Sequence, residues 1–287
     1  MGMENKVILI TGSTDGIGKQ TALELASKGS SVWIHGRNIE RCQVARLDIV
    51  KATGNEKVGL FVADLSSSKQ VRGLAEKIKE KCEILDVLIN NAGTYFPKRI
   101  LTEENVEMTF AVNHLAYFLL TNLLLDLLIR SAPSRVINVS SRSHLKVVKF
   151  DNLQGENGYD GKNAYSLSKL CNVLFTYELA ERLSGTGVTV NCLHPGVVET
   201  KLLHSGWDLS GRSVKDGAET SVYLASSPEV EGVTGKYYID KQETRSSCMS
   251  YDRTLWTGSR EISEKLSGLK TDCRTVTCSN SKGEKSR

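Results

Sequence analysis

The stretch Val7-Ile8-Leu9-Ile10-Thr11-Gly12-Ser13-Thr14-Asp15-Gly16-Ile17-Gly18 decides the fold. A short, continuously apolar run is followed by a glycine-rich turn and then by a helical segment, Gly16 to Lys28, stopped at Gly29. Such a run suits a parallel strand covered on both faces. Gly12 permits the sharp turn, Gly16 lets the backbone approach a pyrophosphate, and Gly18 allows helix and strand to pack closely. The helix N-terminus adds unpaired N–H groups and the positive end of its dipole. In this strand–turn–helix context, Gly12, Ser13, Thr14, Gly16, Ile17 and Gly18 form a dinucleotide cradle.

The alternation continues outward from there. Val32–His35, Val58–Ala63, Val87–Asn90, Val136–Val139, Val188–Leu193 and Lys236–Ile239 read as further strands. Asn38 to Thr53, ended by Gly54, and Tyr165 to Leu183, ended soon after by Gly185, read as helices. Regular strand–helix alternation predicts an α/β chain: a seven-stranded, doubly wound parallel sheet of the Rossmann type with helices on both faces. Residues 1–270 are expected to form one such domain, with irregular loops at 142–163 and 201–215 as binding segments. The polar stretch 271–287 is expected to be a disordered tail.

Composition narrows the function. The net charge is +4, with no long basic run and no aromatic–basic interleaving, which argues against a nucleic-acid partner. The seven cysteines, at 42, 82, 171, 192, 248, 273 and 278, contain no C-x-x-C, so no zinc or redox site is expected, and reduced thiols fit an odd count. His114, His144, His194 and His204 lack metal-ligand spacing and read as structural or surface residues. The start of the chain runs directly into the first strand, which predicts a cytoplasmic protein without signal peptide or anchor. The apolar stretch Leu115 to Ile129 is too short to span a bilayer and reads as a buried or subunit-packing helix.

Tyr165-Ser166-Leu167-Ser168-Lys169 places a phenol and an ammonium four residues apart on one helical face. A phenol titrates near 10 in water, and a neighbouring ammonium favours the phenolate. The pair is therefore able to move a proton to or from an oxygen.

The ordered set of motifs across roughly residues 5–240 resembles the short-chain dehydrogenase/reductase family. The glycine spacing G-x-x-x-G-x-G is that family's. Asn90-Asn91-Ala92-Gly93 after the fourth strand, Asp64-Leu65 after the third, Asn113 in Val112-Asn113-His114, Ser140-Ser141 closing the fifth, and His194-Pro195-Gly196-Val197-Val198-Glu199-Thr200 also match. The resemblance implies hydride transfer between a nicotinamide cofactor and a carbonyl or alcohol carbon. It assigns proton transfer to Tyr165, lowering of its pKa and a ribose contact to Lys169, and stabilisation of the substrate oxygen to Ser141, the second serine of its pair. Asn113 would interrupt helical hydrogen bonding and hold a relay water. Asp64, Leu65, Asn91, Ala92, Gly93, Pro195, Gly196, Val198 and Thr200 would line the cofactor, together with Tyr165 and Lys169.

The second strand ends in His35-Gly36-Arg37-Asn38, with no acid to bind a ribose 2′-hydroxyl. Arg37 suits a 2′-phosphate, so NADP(H) is the expected cofactor, with Asn38 beside it. Ser168-Lys169-Leu170-Cys171-Asn172-Val173-Leu174-Phe175, Phe150-Asp151-Asn152-Leu153 and Val112-Asn113-His114-Leu115 are similar to the retinol-dehydrogenase-like branch and its dehydrogenase/reductase member-12-like group. Tyr95, Phe96, Phe150, Leu202, Leu203 and Trp207 are candidate walls for a small lipophilic carbonyl or alcohol. The resemblance further implies homodimers or homotetramers packed through Leu115–Ile129 and Tyr165–Leu183. A catalytically silent cofactor-binding regulator and a membrane-surface retinol dehydrogenase are the alternatives the residues leave open.

Overall fold

Ile8 and Ile10 leave one face of their strand and Leu9 leaves the other, yet all three are buried, as the apolar run requires. A computed structural model describes residues 2–143 and 150–269, Phe150 through its backbone alone. Expectations for His144, the Phe150 side chain, Cys273, Cys278 and the 271–287 tail lie outside the described residues.

Strands β1 (Val7–Ile10), β2 (Ser31–Gly36), β3 (Val58–Val62), β4 (Val87–Asn90), β5 (Ser134–Val139), β6 (Val188–His194) and β7 (Lys236–Ile239) are parallel. They stand in the order β3-β2-β1-β4-β5-β6-β7. An eighth strand, β8 (Gln242–Glu243), pairs antiparallel with β7 and was not anticipated. Asp240 and Lys241 take φ of 51° and 64°, the paired left-handed conformation of a two-residue hairpin turn. Neither is glycine, so the sequence carries no turn signal there.

The helices are α1 (Gly16–Ser27), α2 (Ile39–Thr53), α3 (Ser68–Lys81), α4 (Met108–Phe110), α5 (Ala116–Leu123), α6 (Leu125–Arg130), α7 (Gly161–Arg182), α8 (Lys201–Gly206), α9 (Val214–Ser226) and α10 (Arg253–Ser267). Ala22 and Leu25 of α1, Ala45 and Ile49 of α2 and Val222 of α9 pack with Ile8, Ile10 and Ile89 on one face of the sheet. Leu74 and Ile78 of α3, Phe118 of α5 and Phe175 and Leu179 of α7 pack with Leu9, Leu88 and Val136 on the other. The double winding therefore matches the expected class.

Element boundaries follow caps rather than motifs. The Asp160 side chain accepts from Asn163 N at 2.7 Å and starts α7 at Gly161, four residues before Tyr165. Leu115 to Ile129 is not one helix. It begins in a π-helical turn, Ala111–Leu115, runs through α5 and breaks at Leu124 before α6. Leu115, Phe118, Leu120, Leu124, Leu127 and Leu128 are buried within the chain itself, which accounts for its apolar character. In the 201–215 loop, Lys201–Gly206 is helical, and Ser213 caps α9. The α10 residues Ile262 and Leu266 pack on a third cluster that includes Phe110, Leu115 and Cys171. Among the described residues no helix is long and apolar enough to cross a membrane.

Leu179 is fully buried between α7 and the sheet. Leu179→Ala is expected to cost about 2–5 kcal/mol, read as a lowered thermal midpoint, whereas substitution of the exposed Leu47 should leave it near wild type.

Candidate active site

Strand order reverses between β1 and β4, and the loops leaving their C-terminal ends meet there. Asn91 Nδ2 donates to the carbonyls of Thr11 (2.8 Å) and Gly12 (3.1 Å). Thr11 Oγ1 in turn accepts from Asn91 N at 2.9 Å and Ala92 N at 3.1 Å. Gly12 has φ of 62°, and a Cβ there would lie 2.7 Å from Ala92 Cα. A Cβ at Gly18 would lie 2.4 Å from Asn91 Nδ2 and 2.5 Å from Gly12 O. Only glycine allows this approach, and it leaves the N-terminus of α1 facing a cleft of about 1270 Å³.

The cleft is lined by Gly12, Gly16, Ile17, Gly18, Arg37, Asn91, Gly93, Ser141, Tyr165, Lys169, Pro195, Gly196, Val198 and Thr200, all expected from the sequence. The expected walls Tyr95, Phe96, Leu202, Leu203 and Trp207 line it too, while the remaining expected cofactor and catalytic residues sit outside the lining. Ser13 Oγ donates to Ile10 O and accepts from His35 N. Thr14 packs beside Gly36, Asn38 caps α2, and Asp64 accepts from Ser66 N. Leu65 and Ala92 belong to the core, and Asn113 is fully buried. Arg41, Asp15 and Lys201 also line the cleft and were not singled out. The signal for Arg41 was Asn38: an N-cap there puts Arg41 in the first turn of α2.

At the cleft mouth Asp15 pairs with Lys201 and with Arg41 (3.4 Å). The Lys201 hydrogen bond chiefly holds its carboxyl below the usual range. His35 fixes the turn from beneath. Its Nδ1 accepts from Gly12 N at 3.3 Å, leaving Nε2 to donate to Ala63 O at 3.1 Å. Burial pushes this imidazole down to about 4, against the Ala63 carbonyl and the Asp64 charge.

At the inner end, Lys169 Nζ donates to Val139 O at 3.0 Å and lies 5.7 Å from the ring centres of Tyr165 and Tyr117. Burial pushes Lys169 down to about 7 and Tyr165 up to about 12. A hydrogen bond with Ser141 opposes the rise at Tyr165. Ser140 has a different partner: its hydroxyl donates to Lys169 O at 2.7 Å. The π-helical turn at Ala111–Leu115 carries Asn113, whose Oδ1 accepts from Thr94 N at 2.7 Å while its Nδ2 donates to Thr94 O and Ser168 Oγ. Tyr95 and Trp207 flank Tyr165, with the Trp207 ring 5.1 Å from Tyr165 and 4.9 Å from Tyr95. Among the described residues no group of His, Cys, Asp and Glu could hold a metal. His114 and His194 are buried, and exposed His204 pairs with Glu199 at 2.7 Å.

A doubly wound sheet with this cleft at its switch point, and a buried phenol and ammonium on its floor, has the architecture of a dinucleotide-binding oxidoreductase. The short chain dehydrogenase family model matches residues 6–208, and the chain belongs to that family, in its retinol-dehydrogenase-like branch. It is 44% identical over 278 residues to retinol dehydrogenase 13 of Mus musculus, covering 90% of this chain and 83% of that one. It is 42% identical over 299 residues to retinol dehydrogenase 14 of Homo sapiens, covering 93% and 88%. Among solved structures, a short chain dehydrogenase from Escherichia coli CFT073 complexed with NADPH superposes with a TM-score of 0.68 at 25% identity, covering 84% of this chain and 99% of that one. The chain is accordingly an oxidoreductase acting on CH–OH donors.

The two buried imidazoles set an acid limit. His114, lowered to about 4 by burial and further by the Lys169 charge, joins His35 in being neutral in the fold. The unfolded chain protonates both near 6.5. It therefore binds more protons below that pH, and stability is expected to fall from about pH 6.5 to 4 and then level off for this contribution. Urea unfolding at stepped pH measures it, and His35→Gln should flatten the slope.

Proposed function

We propose that the chain is an NADP(H)-dependent oxidoreductase interconverting a lipophilic aldehyde or ketone and its alcohol, a retinoid being the first candidate. The observation carrying this reading is the buried Tyr165 hydroxyl. It is hydrogen-bonded to Ser141, set over Lys169 and walled by Tyr95 and Trp207. When bound, the nicotinamide supplies or accepts the hydride.

This chain's residues handle the rest. Tyr165, a phenol held further in its protonated form by burial, donates its proton to the substrate oxygen in reduction and takes one in oxidation. Ser141 orients that oxygen and stabilises its developing charge. Lys169, on the same helical face, places its charge under the phenol and favours the phenolate form that oxidation needs. Asn113 holds the loop after Gly93 in register with α7. The aromatic walls and Leu203 exclude water and favour an apolar substrate.

The glycine cradle and the N-terminus of α1 fit a pyrophosphate. Exposed Arg37 and Arg41 face the same cleft with no acid at the end of β2, which supports a 2′-phosphate, as does the NADPH complex of the Escherichia coli relative. Compartment and assembly are read as the sequence suggested: a cytoplasmic enzyme, with peripheral membrane association or a homodimer or homotetramer compatible with it.

An NADPH-oxidation screen over all-trans-retinal, medium-chain aldehydes, steroids and quinones tests the reading, and no turnover with any of them would overturn it. Tyr165→Phe is expected to lower kcat by about 10²–10⁴ with NADPH affinity nearly intact. Arg37→Ala should weaken NADPH about tenfold or more and leave NADH unchanged, measured by fluorescence titration. Because reduction needs the protonated phenol and oxidation its conjugate base, and the phenol is pushed up to about 12, oxidation rates should rise with pH while reduction rates stay level until pH nears that value.

A further inference from the structure

We propose that His114, Asn172 and Ser263 form a positioning relay that fixes the Asn113 carbonyl and ties the seating of α10 to the geometry around Tyr165 and Lys169. The proposal rests on the oxidoreductase reading for its kinetic consequence, but the relay itself is a matter of donors and acceptors.

Asn172 lies three residues beyond Lys169 on α7, and its Nδ2 donates to Asn113 O at 2.9 Å, inside the π-helical turn. That fixes the orientation of the amide, so Asn172 Oδ1 is the atom 3.0 Å from His114 Nδ1. An acceptor there requires the His114 proton on Nδ1. The neutral ring then turns Nε2 toward the Ser263 hydroxyl of α10 at 2.9 Å, a hydroxyl whose one proton also has Ser259 O within reach at 2.7 Å. From the ring onward the polarity runs one way: imidazole to amide, amide to carbonyl. All three side chains are fully buried, and Phe110, Phe118 and Phe175 surround the imidazole, so water does not compete.

The relay ends where the chemistry begins. The Asn113 side chain grips Thr94 and the Ser168 hydroxyl, and Ser168 Oγ donates to Tyr165 O at 2.7 Å. A shift of the widened turn therefore moves both the loop after Gly93 and the first turn between Tyr165 and Lys169. At the other end, α10 presents buried Ser259, Ser263 and Ser267 to the core at four-residue intervals. Apolar residues at those positions would bury the helix as well. Ser263 and Ser267 donate to carbonyls one turn back in their own helix, at 2.7 and 2.6 Å, and Ser263 Oγ also meets the imidazole, so the seating of α10 is tied to the relay through that contact.

The experiment compares His114→Leu, which removes the relay, with His114→Asn, which keeps an N–H toward Asn172, and Ser263→Ala, which cuts it only at α10. Turnover of the carbonyl found active in the screen is measured with amide hydrogen exchange over residues 92–96 and 111–117 on the cofactor-free protein. His114→Leu should lower kcat by about three- to thirtyfold, with the KM for NADPH within about twofold of wild type. It should speed exchange in both segments and leave β1–β3 unchanged. His114→Asn should recover most of both losses, and Ser263→Ala should show a smaller loss of the same kind. Unchanged exchange, unchanged kcat in a folded His114→Leu, or failure of His114→Asn to rescue overturns the relay. Should His114→Leu not fold, Ser263→Ala decides by the same exchange readout. A wild type inactive on every carbonyl, with the exchange pattern as expected, overturns the functional reading and leaves the relay standing.

Discussion

The constraint on which the structure depends is the closeness of two turns, Thr11-Gly12 after β1 and Asn91-Ala92 after β4. Neighbouring parallel strands stand about 4.8 Å apart. Their connections must diverge to opposite faces of the sheet before either can be covered by a helix. Asn91 spans the divergence by donating to two successive carbonyls across it, and Thr11 Oγ1 answers with two N–H acceptances. A side chain at Gly12 or Gly18 would force the turns apart. The placement of the α1 N-terminus, the loop after Gly93 and the switch-point cleft are consequences of this single clamp.

Burial of α7 is the second determinant, and it explains the charge states on the cleft floor. From Leu167 to Tyr177 every residue of this helix is buried, with the sheet on one side and α10 and the π-helical turn on others. Tyr165 and Lys169 are thus set into a core helix rather than an exposed face. One cause, loss of hydration, raises the phenol and lowers the ammonium. The sequence argument had Lys169 depressing the tyrosine; in the fold the tyrosine is raised, and the opposing influence is the Ser141 hydrogen bond. The loss of hydration required knowing how deeply the helix is covered.

Sequence was most informative where chemistry forces residue type. The glycine turn, the parallel apolar strands and the Tyr–Lys spacing each have few physical alternatives, and they gave the doubly wound sheet class and the glycine and Tyr–Lys parts of the cleft lining, while the strand order came only with the structure. It was less informative where geometry depends on partners far away in the chain. The break of Leu115–Ile129 at Leu124 carries no proline or glycine, and the β7–β8 turn uses Asp240 and Lys241 at positive φ. Arg41 and Lys201 reach the cleft only because α2 and α8 deliver them, and α10 itself was not picked out. Asp64 and Asn38, expected at the cofactor, have side chains that serve a local turn and a helix cap.

The buried polar groups share one logic that joins stability to function. Asn90 at the end of β4 donates to Thr121 of α5 and Asn138 of β5. Asn138 donates to Thr176 of α7, and Thr176 donates to Asn172 O one turn earlier. The same residue, Asn172, then passes its side chain to Asn113. A core built of Leu and Val alone tolerates small rotations of a helix, because apolar contact is non-directional. A chain of amides and hydroxyls does not, since any rotation leaves a buried group without its partner at a cost of about 1–3 kcal/mol. The ladder from β4 to α7 therefore converts tight packing into a fixed helical phase. That phase, more than any single contact at the cleft, keeps Tyr165 and Lys169 together on the cleft floor.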